Sequence, residues 1–132
     1  MFDGVMIGMR GEASLVVGTN DTASRIGSGR VPVLGTPVMI TLIEEAALAC
    51  IEDALPEGHQ SLGTHLDVSH IAATPIGMTI TAEAELVEID GRKLVFDVRA
   101  RDEVELIGEG RHMRVIVDAG RFEARIAEKL KR

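Results

Sequence analysis

The sequence predicts an α+β fold in which an antiparallel β-sheet wraps around one long central helix. One apolar run of helical length stands between Gly35-Thr36-Pro37 and Pro56-Glu57-Gly58, where proline suits a first helical turn and Pro-Gly stops one. Segments with period-two and β-branched patterning then follow one another with no helical pattern between them. Parallel strands need long crossovers, so those segments pair antiparallel. Asp90-Gly91 adds a hairpin signal between two of them.

In chain order, the segment 11–18 holds the β-prone run Leu15-Val16-Val17 and makes a first strand. The glycine-bearing stretch 19–35 is a loop, with a short turn of helix after the cap candidates Asn20 and Asp21. Thr36 is read as the N-cap of the long helix and Pro37 as its first residue, and the helix runs to about Leu55. Strands are expected over 60–71, 78–89 and 93–102, the last two joined at Asp90-Gly91 with Arg92 extending the turn. A further strand covers 104–117, with Gly108 and Gly110 marking a bend or bulge. A short amphipathic helix over 121–131 closes the chain.

At 132 residues the chain has the size of one domain, spanning 1–132. A net charge of -7 excludes the basic footprint of a nucleic-acid binder. The basic cluster Lys129-Leu130-Lys131-Arg132 reads as a helix C-terminus facing its own dipole. Cys50 is the single cysteine; it is read as a small core residue in a reducing compartment. The N-terminal segment has neither a basic leader nor an unbroken apolar run, and Glu44-Glu45 interrupts the longest apolar stretch. A soluble, cytoplasmic protein with no membrane span is the expectation. With no Trp or Tyr, the second face of the sheet is expected to be covered by aliphatic residues. Leu62, Leu66, Val68 and Ile80 would support pairing at a sheet edge, which predicts a homodimer and leaves higher oligomers open.

Glu44 is the first candidate for chemistry. Thr41, Glu45 and Glu52 share a solvent stripe, but Glu44 is turned about 100° from Glu45 among Ile40, Ala47, Leu48 and Ile51. A carboxylate among apolar side chains marks a functional position when a partner compensates it. Thr36 lies about 12 Å along the axis from Glu44 by the helical rise, at the end where free N–H groups favour negative charge. His70 ends a strand beside the small residues Ala72 and Ala73, which leave room for a ligand. Gly63 would let a backbone N–H approach a substrate oxygen or would mark a bulge. Arg114 is either an exposed strand residue or an anion clamp. His59, His65, His70 and His112 show no metal-ligand spacing with Cys or Asp, so no metal and no cofactor is expected.

Together the runs Gly35-Thr36-Pro37 to Glu44-Glu45-Ala46, Gly63-Thr64-His65 to His70-Ile71-Ala72-Ala73-Thr74-Pro75-Ile76-Gly77, Glu88 to Arg92, and Ile107 to Arg114 resemble the fluoroacetyl-CoA thioesterase-like branch of the hotdog-fold thioesterases. The resemblance covers almost the whole chain, and His-x-Ala-Ala-Thr-Pro-x-Gly is its most specific part. It implies a hotdog fold, a dimer with active sites at the subunit interface, and hydrolysis of an acyl-CoA to free acid and CoA. By resemblance Glu44 is nucleophile or general base, His70 orients and protonates, and Thr36 holds the carboxylate or a water. Gly63 N–H would polarise the thioester carbonyl, and Arg114 would stand near the acyl pocket. Fluoroacetyl-specific members carry phenylalanines before the helix, whereas 22–35 here has no aromatic residue. The expected substrate is therefore a short or medium acyl-CoA. A noncatalytic acyl-CoA sensor and a hotdog enoyl-CoA hydratase are the alternatives.

Overall fold

The computed structural model describes residues 2–132. Its elements are β1 (Arg10–Val16), α1 (Ala23–Ile26), α2 (Thr36–Ile51), β2 (His59–His70), β3 (Thr79–Asp90), β4 (Lys93–Arg101), β5 (Leu106–Asp118) and α3 (Ala119–Lys129). Short 3₁₀ turns at Thr19–Asp21 and Glu52–Ala54 extend α1 backward and α2 forward. The strands form one sheet in the order β1-β3-β4-β5-β2, and every neighbouring pair is antiparallel. This is the α+β arrangement expected, with β1 and β2 at the two edges.

Spacing along α2 explains how it enters the sheet. Met39, Leu42, Ile43, Ala46, Ala47 and Cys50 recur at three- and four-residue steps and are buried, the signature of one apolar stripe. They face Ile80, Ala82, Ala84, Leu86, Phe96, Val98 and Ala100 on β3 and β4. Alanines on both sides bring helix and sheet close together. Gly11 on β1 is the tightest point: a Cβ there would meet the Ala46 carbonyl oxygen and lie 2.6 Å from Cys50 N. Cys50 takes the core position expected of it, and burial pushes its thiol up to about 11.

Three expectations change in detail. Gly35 is the N-cap and Thr36 the first helical residue, with no side-chain cap bond; the Thr36 hydroxyl is engaged elsewhere, as described below. Ile80 is fully buried on an inner strand, so it cannot serve a sheet edge, although Leu62 and Leu66 on edge strand β2 are exposed. The uncovered face of the sheet is also charged rather than aliphatic. Its cross-strand neighbours include Glu83 with Arg99, Arg99 with Glu109, and Asp97 with Arg111, and Arg111 Nε lies 3.2 Å from Asp97 Oδ1. An antiparallel sheet can leave one face in water in this way.

The hairpin forms as anticipated: Asp90 pairs with Lys93, and Gly91 takes φ 61° in the two-residue loop that includes Arg92. The β4–β5 register shifts next to Gly108, and the β2–β5 register shifts between Gly63 and His65. Asp118 caps α3 by accepting from Arg121 N at 3.1 Å. No helix among the described residues is long and apolar enough to cross a membrane.

Candidate active site

Two groups of polar residues stand on the concave side of the sheet. The first joins the start of α2 to the end of β2. Thr36 Oγ1 and His70 Nδ1 are 2.7 Å apart. Among the described residues His70 Nε2 is a buried polar atom with no partner, so either tautomer leaves this ring position free. Burial lowers the His70 pKa, and the Ala72 backbone opposes that only in part; the ring is neutral at pH 7. An unpartnered imidazole nitrogen is what a general acid or base presents to a substrate.

Beside it lies a cleft of about 330 Å³ lined by Ala23, Ser28, Val33, Leu34, Ala72 and Ala73 together with Thr36 and His70. Its walls are held by short backbone links. Thr22 bridges to Leu34, Val33 bridges to Pro75, and Leu34 N donates to Thr74 O at 2.9 Å. Thr74 is fully buried and its hydroxyl donates to Asp102 Oδ2 at 2.9 Å. Desolvation works against the Asp102 charge, but the Val104 and Glu105 N–H groups and Thr74 outweigh it and hold the carboxyl below its ordinary range. The Ala-Ala-Thr-Pro segment therefore shapes the cleft through a structural anchor.

The second group centres on Glu44, two turns further along α2. Its side chain is 38% exposed, less enclosed than its apolar neighbours in sequence predict, because α2 hardly covers the edge strand β2. Arg114 Nη1 lies 3.6 Å from Glu44 Oε2. A Cβ on Gly63 would lie 2.5 Å from the same oxygen, so glycine makes room for the carboxylate at the point where β2 is bulged. The bulge reading of Gly63 holds, and the missing side chain there also leaves room for the Glu44 carboxylate.

Arg114 is buried, which removes the exposed-strand reading. Its Nε donates to Ser61 Oγ at 2.8 Å and its Nη2 to Ser61 O at 3.0 Å. Burial lowers its pKa and the Glu44 charge raises it; a guanidinium stays charged throughout. His112 completes the group, with Nε2 3.1 Å from Arg114 Nη1 and Nδ1 2.9 Å from His65 O. Ser61 and His112 were not singled out from sequence for this role. The available signal was period two: His112 and Arg114 are two apart on β5 and share the inward face with Ile116.

Thus the structure pairs Thr36 with His70, and Glu44 with Gly63 and Arg114. No hydrogen bond or ion pair among the described residues joins the two groups. Nor are three or more His, Cys, Asp or Glu side chains grouped so as to hold a metal ion among those residues.

The profile of the fluoroacetyl-CoA-specific thioesterase family matches residues 17–120. The chain belongs to this family. It is 36% identical to the fluoroacetyl-CoA thioesterase of Streptantibioticus cattleyicolor, with 98% of this chain and 97% of that one covered. The solved structure of fluoroacetyl-CoA thioesterase FlK superposes with a TM-score of 0.89 at 34% identity, covering 96% of this chain and 98% of that one. A thioesterase-superfamily protein of Thermus thermophilus gives 0.87 at 28% identity, covering 96% of each chain. The hotdog fold of the fluoroacetyl-CoA-specific thioesterase family is thus the fold of this chain, and the resemblance seen in its sequence motifs holds.

Proposed function

We propose that the protein hydrolyses short or medium acyl-CoA thioesters to the free acid and CoA, with Glu44 as nucleophile or general base. The observation that carries this reading is the Glu44 carboxylate held against Arg114 and a side-chain-free Gly63, in a chain of the fluoroacetyl-CoA-specific thioesterase family. Attack by a water that Glu44 deprotonates forms the new C–O bond of the free acid as the C–S bond breaks; attack by Glu44 itself forms a mixed anhydride, which a water then hydrolyses to the free acid, restoring the carboxylate. The departing thiolate takes a proton to become CoA–SH. The proton released by the attacking water is the one that ends on the sulfur, relayed through the free His70 Nε2 position, with Thr36 orienting the ring. Gly63 N–H is assigned to the developing oxyanion. The reaction uses no cofactor beyond the CoA of its substrate.

The cleft by His70 is at the small end of ligand pockets and has no aromatic lining. It suits a short or medium acyl chain without selecting for fluorine. The two groups complete each other across a homodimer, Thr36 and His70 of one protomer facing Glu44, Gly63 and Arg114 of its partner, with edge strand β2 at the seam. Exposed Leu62 and Leu66 and the unpaired outer edge of this 12-residue strand support that assembly. A single cysteine suits the reducing cytoplasm.

The test is thiol release from a panel of acyl-CoAs by wild type and Glu44→Gln. Turnover that Glu44→Gln reduces by roughly a hundredfold or more is the expected result. Acyl-CoA binding with no thiol release would make the protein a sensor, and loss of enoyl absorbance with no thiol release would make it a hydratase.

A further inference from the structure

The Glu44 reading leaves one fully buried histidine without a task. His112 has no exposed surface, and its ring stacks on Phe96 with centroids 6.2 Å apart and planes 29° from parallel. Its two nitrogens are both committed. Nδ1 faces the His65 carbonyl at 2.9 Å, which can only accept, so Nδ1 carries the hydrogen. Nε2 faces Arg114 Nη1 at 3.1 Å, and a guanidinium can only donate, so Nε2 is the bare acceptor. The His65 contact requires a hydrogen on Nδ1 and the Arg114 contact requires a bare Nε2, so the two together demand the neutral Nδ1–H tautomer.

The guanidinium is equally constrained. Ser61 takes the Nε and Nη2 hydrogens through its hydroxyl and its carbonyl. That leaves the second Nη2 hydrogen and the two hydrogens of Nη1. Of the Nη1 pair, one points at His112 Nε2, and the other is free for Glu44 Oε2 at 3.6 Å. The Arg114 side chain is 7% exposed, so a missing acceptor at His112 would not be replaced by bulk water. The ring also occupies the space beside Gly63, where a Cβ would lie 3.0 Å from His112 Cε1.

We propose that His112 is a positioning residue, whose neutral Nδ1–H tautomer holds the Arg114 fork so that Nη1 stays aimed at Glu44. The chain of contacts runs from the His65 carbonyl through the imidazole and the guanidinium to the Glu44 carboxylate. Charged groups facing the ring are Arg114 from β5 and Glu44 from α2. A protonated ring would turn a second N–H onto Arg114 and set two cations against each other. Burial and the Arg114 charge both favour the neutral ring. The inference rests on the reading of Glu44 as the reacting group.

Two substitutions separate the two nitrogens. His112→Gln keeps an acceptor where Nε2 stood, and His112→Asn keeps a donor toward His65 O but removes that acceptor. Thiol release should show His112→Asn losing roughly ten- to a hundredfold in kcat with KM little changed, the size of one charge-assisted hydrogen bond. His112→Gln should stay within about fivefold of wild type. In an Arg114→Lys background both should lie within about twofold of Arg114→Lys alone, because effects through one partner do not add. Long-range ¹H–¹⁵N spectra of the wild type should show Nδ1 protonated and Nε2 bare.

Equal losses in the Asn and Gln variants, an Asn loss undiminished in the Arg114→Lys background, or a ring protonated at Nε2 would each overturn the proposal. The Glu44 reading fails separately, if Glu44→Gln or Arg114→Lys alone leaves thiol release at the wild-type rate. If those two variants lose turnover while His112→Asn keeps it, only the role of His112 is lost.

Discussion

A carboxylate becomes useful when its surroundings fix where it points. Glu44 is fixed by a missing side chain on one side and a buried cation on the other. Gly63→Ala tests the first. The added carbon would strike a flexible carboxylate end and the edge of His112 rather than backbone. Thiol release should therefore fall at least about tenfold while the melting temperature changes little, the split expected when a group is displaced and the fold is not. The two neutral histidines make a second test. His70 and His112 both have folded pKa values below 6.5 because burial disfavours their charged forms. As pH falls below 6.5 the unfolded chain binds protons that the folded chain refuses, so stability decreases with falling pH in that window. Melting temperatures between pH 7.5 and pH 5 should drop for the wild type and drop less steeply for His112→Gln. At this scale Glu44, Thr36, His70, Gly63 and Arg114 were all legible from residue type and motif. Ser61 and His112 were not, because a serine and a histidine at alternate strand positions carry no mark of the arginine between them and the helix.

At the scale of elements, the helix stripe and the strand periods determine almost everything. The burial of α2 at three- and four-residue steps and the antiparallel strand pairs follow from local patterns. Closeness does not. Gly11 reads in sequence as a strand opening, yet in the fold it is the position where β1 lies against the backbone of α2. Gly11→Ala should destabilise by about 1–3 kcal/mol or more, the cost of overpacking a contact that cannot yield; chemical denaturation measures it. The change of Thr36 from cap to first helical residue has a similar origin. Its hydroxyl finds a histidine on another element, 34 residues away in sequence, and gives up the local cap bond.

Among the described residues the longer of the two edge strands, β2, has no neighbour on its outer side, and one face of the sheet is charged. β2 exposes Leu62 and Leu66, while acidic and basic residues alternate across the outer face. Association is therefore expected at the strand edge and not on the sheet face. If the proposed homodimer forms, Leu66→Glu should convert it to a monomer in light scattering and lose thiol release with it, since each active site proposed above draws on both protomers. A monomeric wild type at micromolar concentration, or a monomeric variant with full turnover, would end this account of the assembly.

The amino-acid order alone determined the α+β class, the antiparallel sheet, the central helix and the hairpin, because each is written in periodicity or in short motifs that neighbouring residues complete; the five candidate site residues it nominated through the family resemblance. Only the tertiary structure decided which of those residues meet. Thr36 pairs with His70, and Arg114 leaves solvent for Ser61, 53 residues away. His112 is placed between β2 and the guanidinium. Hydrogen bonds across such separations depend on strand register and on how closely helix and sheet approach. Neither quantity leaves a local pattern in the chain.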